Sequence, residues 1–163
     1  MRWRIAGRLT RRVRDFSEDK NYLYNFNSND HSIEKIDLDL LEFVGRFPFE
    51  KEGPNGVGTN VNWMSLPNDT QILLANFEGM GLFDLNGNKL SDLKLEKDKF
   101  EGDSLLDGEI FQSKSFALAG RNVVYGLLVN PWKSAKSSMS KVDFESKTIK
   151  KMKLPGEGEL PEY

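Results

Sequence analysis

Three times in this 163-residue chain an aspartate sits between two apolar residues just before a turn. The tripeptides are Ile36-Asp37-Leu38, Phe83-Asp84-Leu85 and Val142-Asp143-Phe144. The second opens the clearest hairpin signal in the sequence. Gly81 to Leu90 holds two apolar runs parted by Asn86-Gly87, a dipeptide that supplies the positive φ angles of a type I′ turn. A carboxylate beside such a turn can accept backbone N–H groups. Asp37, Asp84 and Asp143 therefore read as turn-stabilising residues rather than as acid–base catalysts.

Reading outward from each tripeptide gives three copies of one unit, at about 13–49, 60–95 and 109–154. Each copy is four short strand-like segments separated by polar turns. Alternation at Ile33/Lys35 and Leu90/Asp92 supports strands, and no segment holds a helical period. Four-stranded units repeating every 40–50 residues or so mark a β-propeller. An antiparallel sandwich is the competing reading. The expected fold class is all-β, with three four-stranded antiparallel units as the blades of a partial β-propeller.

Residues 1–12 stand apart, because Arg2, Arg4, Arg8, Arg11 and Arg12 crowd them. No apolar core follows, so this is not a secretory signal. An atypical start joined to a domain beginning near Val13 is expected, with an Arg-rich transit peptide or nucleic-acid arm as the alternative. A net charge of −2 gives no basic field, so no nucleic acid is expected as a partner. Apolar runs such as Ile72-Leu73-Leu74-Ala75 fall far short of the roughly 20 residues of a bilayer span. The chain has no cysteine, which excludes disulfides, thiolate metal sites and cysteine nucleophiles.

Phe16 to Phe26, Ile33 to Leu38 and Phe49 to Gly56 carry a family likeness. On these residues the chain resembles TolB-like and NHL-like six-bladed β-propellers, in particular a family of bacterial envelope lipoproteins built on a domain of unknown function. The resemblance runs from about Val13 to the C-terminus. It implies a propeller fold and a place in the bacterial envelope, in the periplasm or on the cell surface. It implies no agreed activity and no cofactor. The sequence departs from that family in lacking a lipoprotein signal and in holding three units where about six are usual. Three blades cannot close a ring of roughly four to eight, and open edges invite pairing. Either a fragment of a longer protein or a homodimer closing as three plus three is expected.

Blade topology places the long loops on one face: Asn27 to His31, Glu50 to Gly58, Phe77 to Gly79, Glu96 to Gly108, Asn130 to Ser138 and Pro155 to Tyr163. The tight turns, Asn86-Gly87 among them, fall on the opposite face. Loops on a rigid scaffold carry function, so the long-loop face is the candidate binding face. Its candidates are Asp30 with His31, the only histidine; Asn55, within Gly53-Pro54-Asn55-Gly56; and Trp132 with Lys133. Trp63 and Gln112, on innermost strands, are candidates for a central channel.

No metal site is expected. One histidine without cysteine cannot anchor a standard zinc site, nor a Cys-His pair or a triad. His31 reads as a solvated loop residue, at most a lone base. Asp98, Glu101, Asp103 and Asp107 lack the spacing of a calcium loop and read as a solvated loop. Gly53 to Gly58 lacks the Lys-Ser/Thr of a phosphate loop and reads as a bend between two units. The function expected is a non-enzymatic binding or interaction module with a protein or carbohydrate ligand on the long-loop face. A fragment of a carbohydrate-active propeller enzyme using loop carboxylates, and a structural fragment without activity, are the alternatives.

Overall fold

The structure is a computed structural model that describes residues 13–76, 79–94, 101–103, 108–111, 117–119, 123–130, 137–143 and 145–153. Among the described residues every regular element is a strand. The chain divides into two compact units, Met1–Asn76 with Met80–Asp92, and Phe77–Gly79 with Leu93–Tyr163.

The first unit holds two four-stranded meanders. Strands β1 (Arg14–Phe16), β2 (Tyr22–Asn27), β3 (Ser32–Asp37) and β4 (Glu42–Pro48) pair in chain order. Strands β5 (Trp63–Asn68), β6 (Gln71–Ala75), β7 (Gly79–Asp84) and β8 (Lys89–Lys94) do the same, the last residues of β8 and the first of β7 belonging to the second unit. Alternation sends one face of each sheet into a shared core. Tyr24, Phe26 and Ile33 from the first sheet are buried in one cluster with Met64, Ile72, Leu74 and Phe83 from the second. Burying a side chain of this size contributes about 1.5–3 kcal/mol. Asp15 ties the sheets together, its Oδ2 accepting from Leu66 N at 2.9 Å and Ser65 Oγ at 3.1 Å.

The second unit holds one larger sheet in the order β10 (Ile110–Phe111), β12 (Val123–Val129), β13 (Ser138–Asp143), β14 (Thr148–Lys153), β9 (Glu101–Gly102), with β11 (Ala117–Ala119) also on β12. The antiparallel four-stranded units expected from sequence are present, with one addition. Glu101 and Gly102, expected in a solvated loop, form β9 and pair in parallel with Thr148 and Ile149. Asp103 is structural as well, because its Oδ2 accepts from Lys151 N at 2.7 Å. A two-residue strand carries no periodicity, so the sequence pattern could not announce it.

The three aspartates perform the same task in each sheet. Asp37 Oδ1 accepts from the amides of Asp39 and Leu40, Asp84 Oδ1 from Asn86 and Asn88, and Asp143 Oδ1 from Glu145 and Ser146, all at 2.9–3.0 Å. The hairpin at Asn86-Gly87 is not type I′. Gly87 has φ +83°, but Asn86 is not among the positive-φ residues. The Asp84 carboxylate holds the turn in another geometry, closed by Gly87 N to Asp84 O at 3.1 Å and Asp84 N to Asn88 O at 3.0 Å.

The Asn88 side-chain amide, then the Asn88 and Asn86 backbone amides, hold the Asp84 carboxyl below its ordinary value of 3.8. The Ser146 amide leads the same effect at Asp143. A folded-state pKa below the unfolded one gives stability that is complete above the unfolded value and lost as pH falls through the folded one. Asp84→Ala should therefore cost on the order of 1 kcal/mol at pH 7. That deficit should fade as pH drops below 3.8. Urea unfolding of the variant and the parent at pH 7 and pH 3 measures it.

Candidate functional site

The long-loop segment after β4 is fixed by its own hydrogen bonds. Val57 N donates to Glu50 O at 2.9 Å, Gly58 N to Lys51 O at 3.0 Å and Gly56 N to Gly53 O at 3.0 Å. It is the bend between two sheets that its sequence predicts. Gly58 sits at φ +82°, and a Cβ there would meet Asn76 Nδ2 at 2.6 Å. The Asn76 amide itself reaches Val57 O at 3.4 Å.

His31 is the main correction. Expected on a solvated loop, it is buried, 3% exposed, with its backbone at φ +54°. Its Nε2 lies 2.9 Å from Gly58 O, so Nε2 carries the proton and donates to that carbonyl. Its ring meets Phe26 edge-on at 5.4 Å, and its carbonyl accepts from Phe49 N at 2.8 Å. Nδ1 is buried without a hydrogen-bond partner among the described residues. The imidazole therefore fastens the 49–58 segment to the first sheet. The left-handed conformation turns the side chain inward, which its polar neighbours in sequence gave no reason to expect.

Asn55 pins the same segment from the other side, its Oδ1 accepting from Lys89 N of β8 at 3.2 Å. Gly87 lies against it too, since a Cβ there would come within 2.9 Å of Pro48 O. This corrects the expected separation of the Asn86-Gly87 turn from the Glu50–Gly58 loop. The loop reaches the first residue of β8 through Asn55, and Gly87 lies against Pro48 and Phe49, where the loop begins.

Asp30 accepts from Ser32 Oγ at 2.6 Å and pairs with Arg46 at 3.0 Å, while Arg46 also reaches Glu34 at 3.3 Å. Trp63 opens β5, half-buried, opposite Ala75. Trp132, Lys133 and Gln112 lie outside the described residues. The structure thus brings His31 and Asn55 to one loop and leaves Asp30 and Trp63 elsewhere. Among the described residues no group of three or more His, Cys, Asp or Glu could hold a metal ion.

The outer face of the first sheet is different in kind. Phe16, Leu23, Ile36 and Phe43 stand directly opposite one another across the four strands, in one apolar row. They face away from the Tyr24–Phe26–Ile33 core because strand side chains alternate. Phe16 is 44% exposed and Phe43 53%, with Leu40, Leu41 and Val44 also exposed beside them. A bulge opposite Lys35 and Ile36 gives β4 one extra residue, Val44. Sequence reasoning missed this face because it followed loops and polar groups. The alternation of β2 and β3 carried the signal.

The profile of a domain of unknown function, DUF4221, matches residues 6–163. The chain belongs to the DUF4221 family. A crystal structure of a DUF4221 member from Bacteroides vulgatus is similar, with TM-score 0.61 and 15% identity over 88% of this chain and 42% of that one. U3-55K is similar at TM-score 0.53 and 10% identity, over 87% of this chain and 38% of that one. Hydrazine synthase from Kuenenia stuttgartiensis is similar at 0.52 and 12%, over 87% and 36%. This DUF4221 chain thus spans less than half the length of each. At such identities the likeness is one of fold alone. No curated protein matches the sequence.

Proposed function

We propose that this DUF4221 chain is a non-enzymatic interaction module, built as consecutive blades of a partial β-propeller at about 13–49, 60–95 and 109–154. A place in the bacterial envelope follows from the family resemblance of Phe16 to Gly56. One observation carries the reading: an apolar row on the outer face of the first sheet, Phe16–Leu23–Ile36–Phe43, exposed at both ends. Exposed apolar patches of this kind mark interaction sites. Three of the polar candidates in the first unit are instead committed to its structure. His31 binds Gly58, Asn55 binds Lys89, and Asp30 binds Ser32 and Arg46.

The alternative is a carbohydrate-active enzyme that uses loop carboxylates. Its test is an assay of released reducing ends with a panel of bacterial and plant polysaccharides. No turnover is expected. Turnover abolished by replacing a loop carboxylate such as Glu50 or Glu52 would overturn the proposal.

A further inference from the structure

The last strand of a sheet carries backbone groups that no neighbouring strand takes up, and such an edge is a template for pairing with another chain. β4 and β8 end their sheets, and β14 would end the third but for β9. Each of the three is treated differently. β4 carries the bulge at Lys35 and Ile36 and ends in Pro48, which has no N–H to offer.

The other two are met by the segment that leads into their own sheet. Residues 49–62 run from β4 to β5, yet Asn55 reaches β8, its Oδ1 accepting from Lys89 N at 3.2 Å. Residues 95–109 run from β8 to β10 and include β9. There Glu101 N donates to Lys147 O at 3.0 Å and Asp103 N to Ile149 O at 2.9 Å, while Asp103 Oδ2 accepts from Lys151 N at 2.7 Å. Gly102 permits this approach: it sits at φ +93°, and a Cβ there would lie 2.5 Å from Ile149 O. In both units a side-chain oxygen thus occupies an outward amide of the outermost strand, from 34 and 48 residues away in sequence. The 49–58 segment is already held by its own hydrogen bonds and by His31, so its shape does not require the bond to Lys89.

Beneath the Asn55 contact lies an edge suited to pairing. Lys89 N points away from β7, so by the alternation of an antiparallel strand Ser91 presents its backbone on that side as well. No strand lies there among the described residues, and Leu90 between them is 49% exposed.

We propose that the two inter-sheet segments are edge guards, Asn55 on β8 and Gly102–Asp103 on β14, which block strand pairing with a second copy of the chain. This goes beyond the reading of the chain as an interaction module, because it names surfaces that are closed to a partner and does not involve the apolar row. The guard on β8 is the lighter, one side chain against a paired strand. Association therefore starts most readily at β8 once its guard is removed.

Asn55→Ala in the full chain tests this. At about 1 µM the Lys89 amide should exchange with deuterium on the order of tenfold faster than in the parent, from the loss of one hydrogen bond. At about 100 µM, within reach of ordinary interface affinities, light scattering should give a molar mass above the parent's, and the Lys89 amide should slow again. Asn55→Asp keeps an acceptor oxygen and should match the parent in both measurements. Adding Leu90→Lys to Asn55→Ala should restore the parent's molar mass, because a charge on an edge strand opposes pairing. Gly102→Ala repeats the test in the second unit, with the Lys151 amide as reporter. An Asn55→Ala chain that keeps the parent's molar mass at about 100 µM overturns the proposal. So does association that leaves the Lys89 amide fast, or that Leu90→Lys fails to reverse. Equal association by Asn55→Asp overturns it too, since the acceptor oxygen would then not be what holds copies apart.

Discussion

Phe83→Ala should lose on the order of 4 kcal/mol of stability, the largest effect of any single truncation in the first unit. Phe83 is 1% exposed and belongs to the cluster that joins the two sheets. Its ring meets Phe49 edge-on at 5.6 Å, and Lys89 Nζ lies 5.6 Å from its centroid. Truncation removes the buried area, the aromatic pair and the support for Phe49, and leaves a cavity that a sheet-on-sheet core cannot collapse. Urea unfolding monitored by tryptophan fluorescence measures the loss. A shift under about 1 kcal/mol would mean that the two sheets do not share a core.

His31→Ala should cost about 2–3 kcal/mol. The substitution removes the Nε2 donor to Gly58 and the edge contact with Phe26, and leaves a part-buried carbonyl without its partner. Alanine gains nothing from the backbone, because φ +54° is no more favourable for it than for histidine. His31→Asn should recover part of the loss, since asparagine tolerates the left-handed region and keeps a donor. A solvated loop histidine would instead change stability by no more than about 0.5 kcal/mol on truncation. The same urea series therefore separates the fastening role from the role its sequence context suggests.

The repeated tripeptides made most of the fold legible. An aspartate that accepts two turn amides is a local feature, and local features are written in local sequence. Once Asp37, Asp84 and Asp143 were aligned, the strands on either side fell into register. What the sequence hid depends on contacts distant along the chain. The inward turn of His31 is decided by Gly58, and the position of the Asn86-Gly87 turn by Pro48 and Asn55. Asn-Gly on its own points to type I′, but the Asp84 carboxylate takes the amides of Asn86 and Asn88 and sets a different turn. The exposed row was present in the sequence as Leu23 and Ile36, but alternation alone does not say which of two faces a neighbour covers.

The account turns on whether the first-sheet row is an exposed apolar surface, and the binding of an apolar reporter dye to the full chain tests that most directly. The fluorescence of 8-anilinonaphthalene-1-sulfonate should rise with the parent chain and fall when Phe16 and Phe43 are both replaced by glutamate, with the urea midpoint kept because both side chains are exposed. Dye fluorescence that the double substitution leaves unchanged would contradict it.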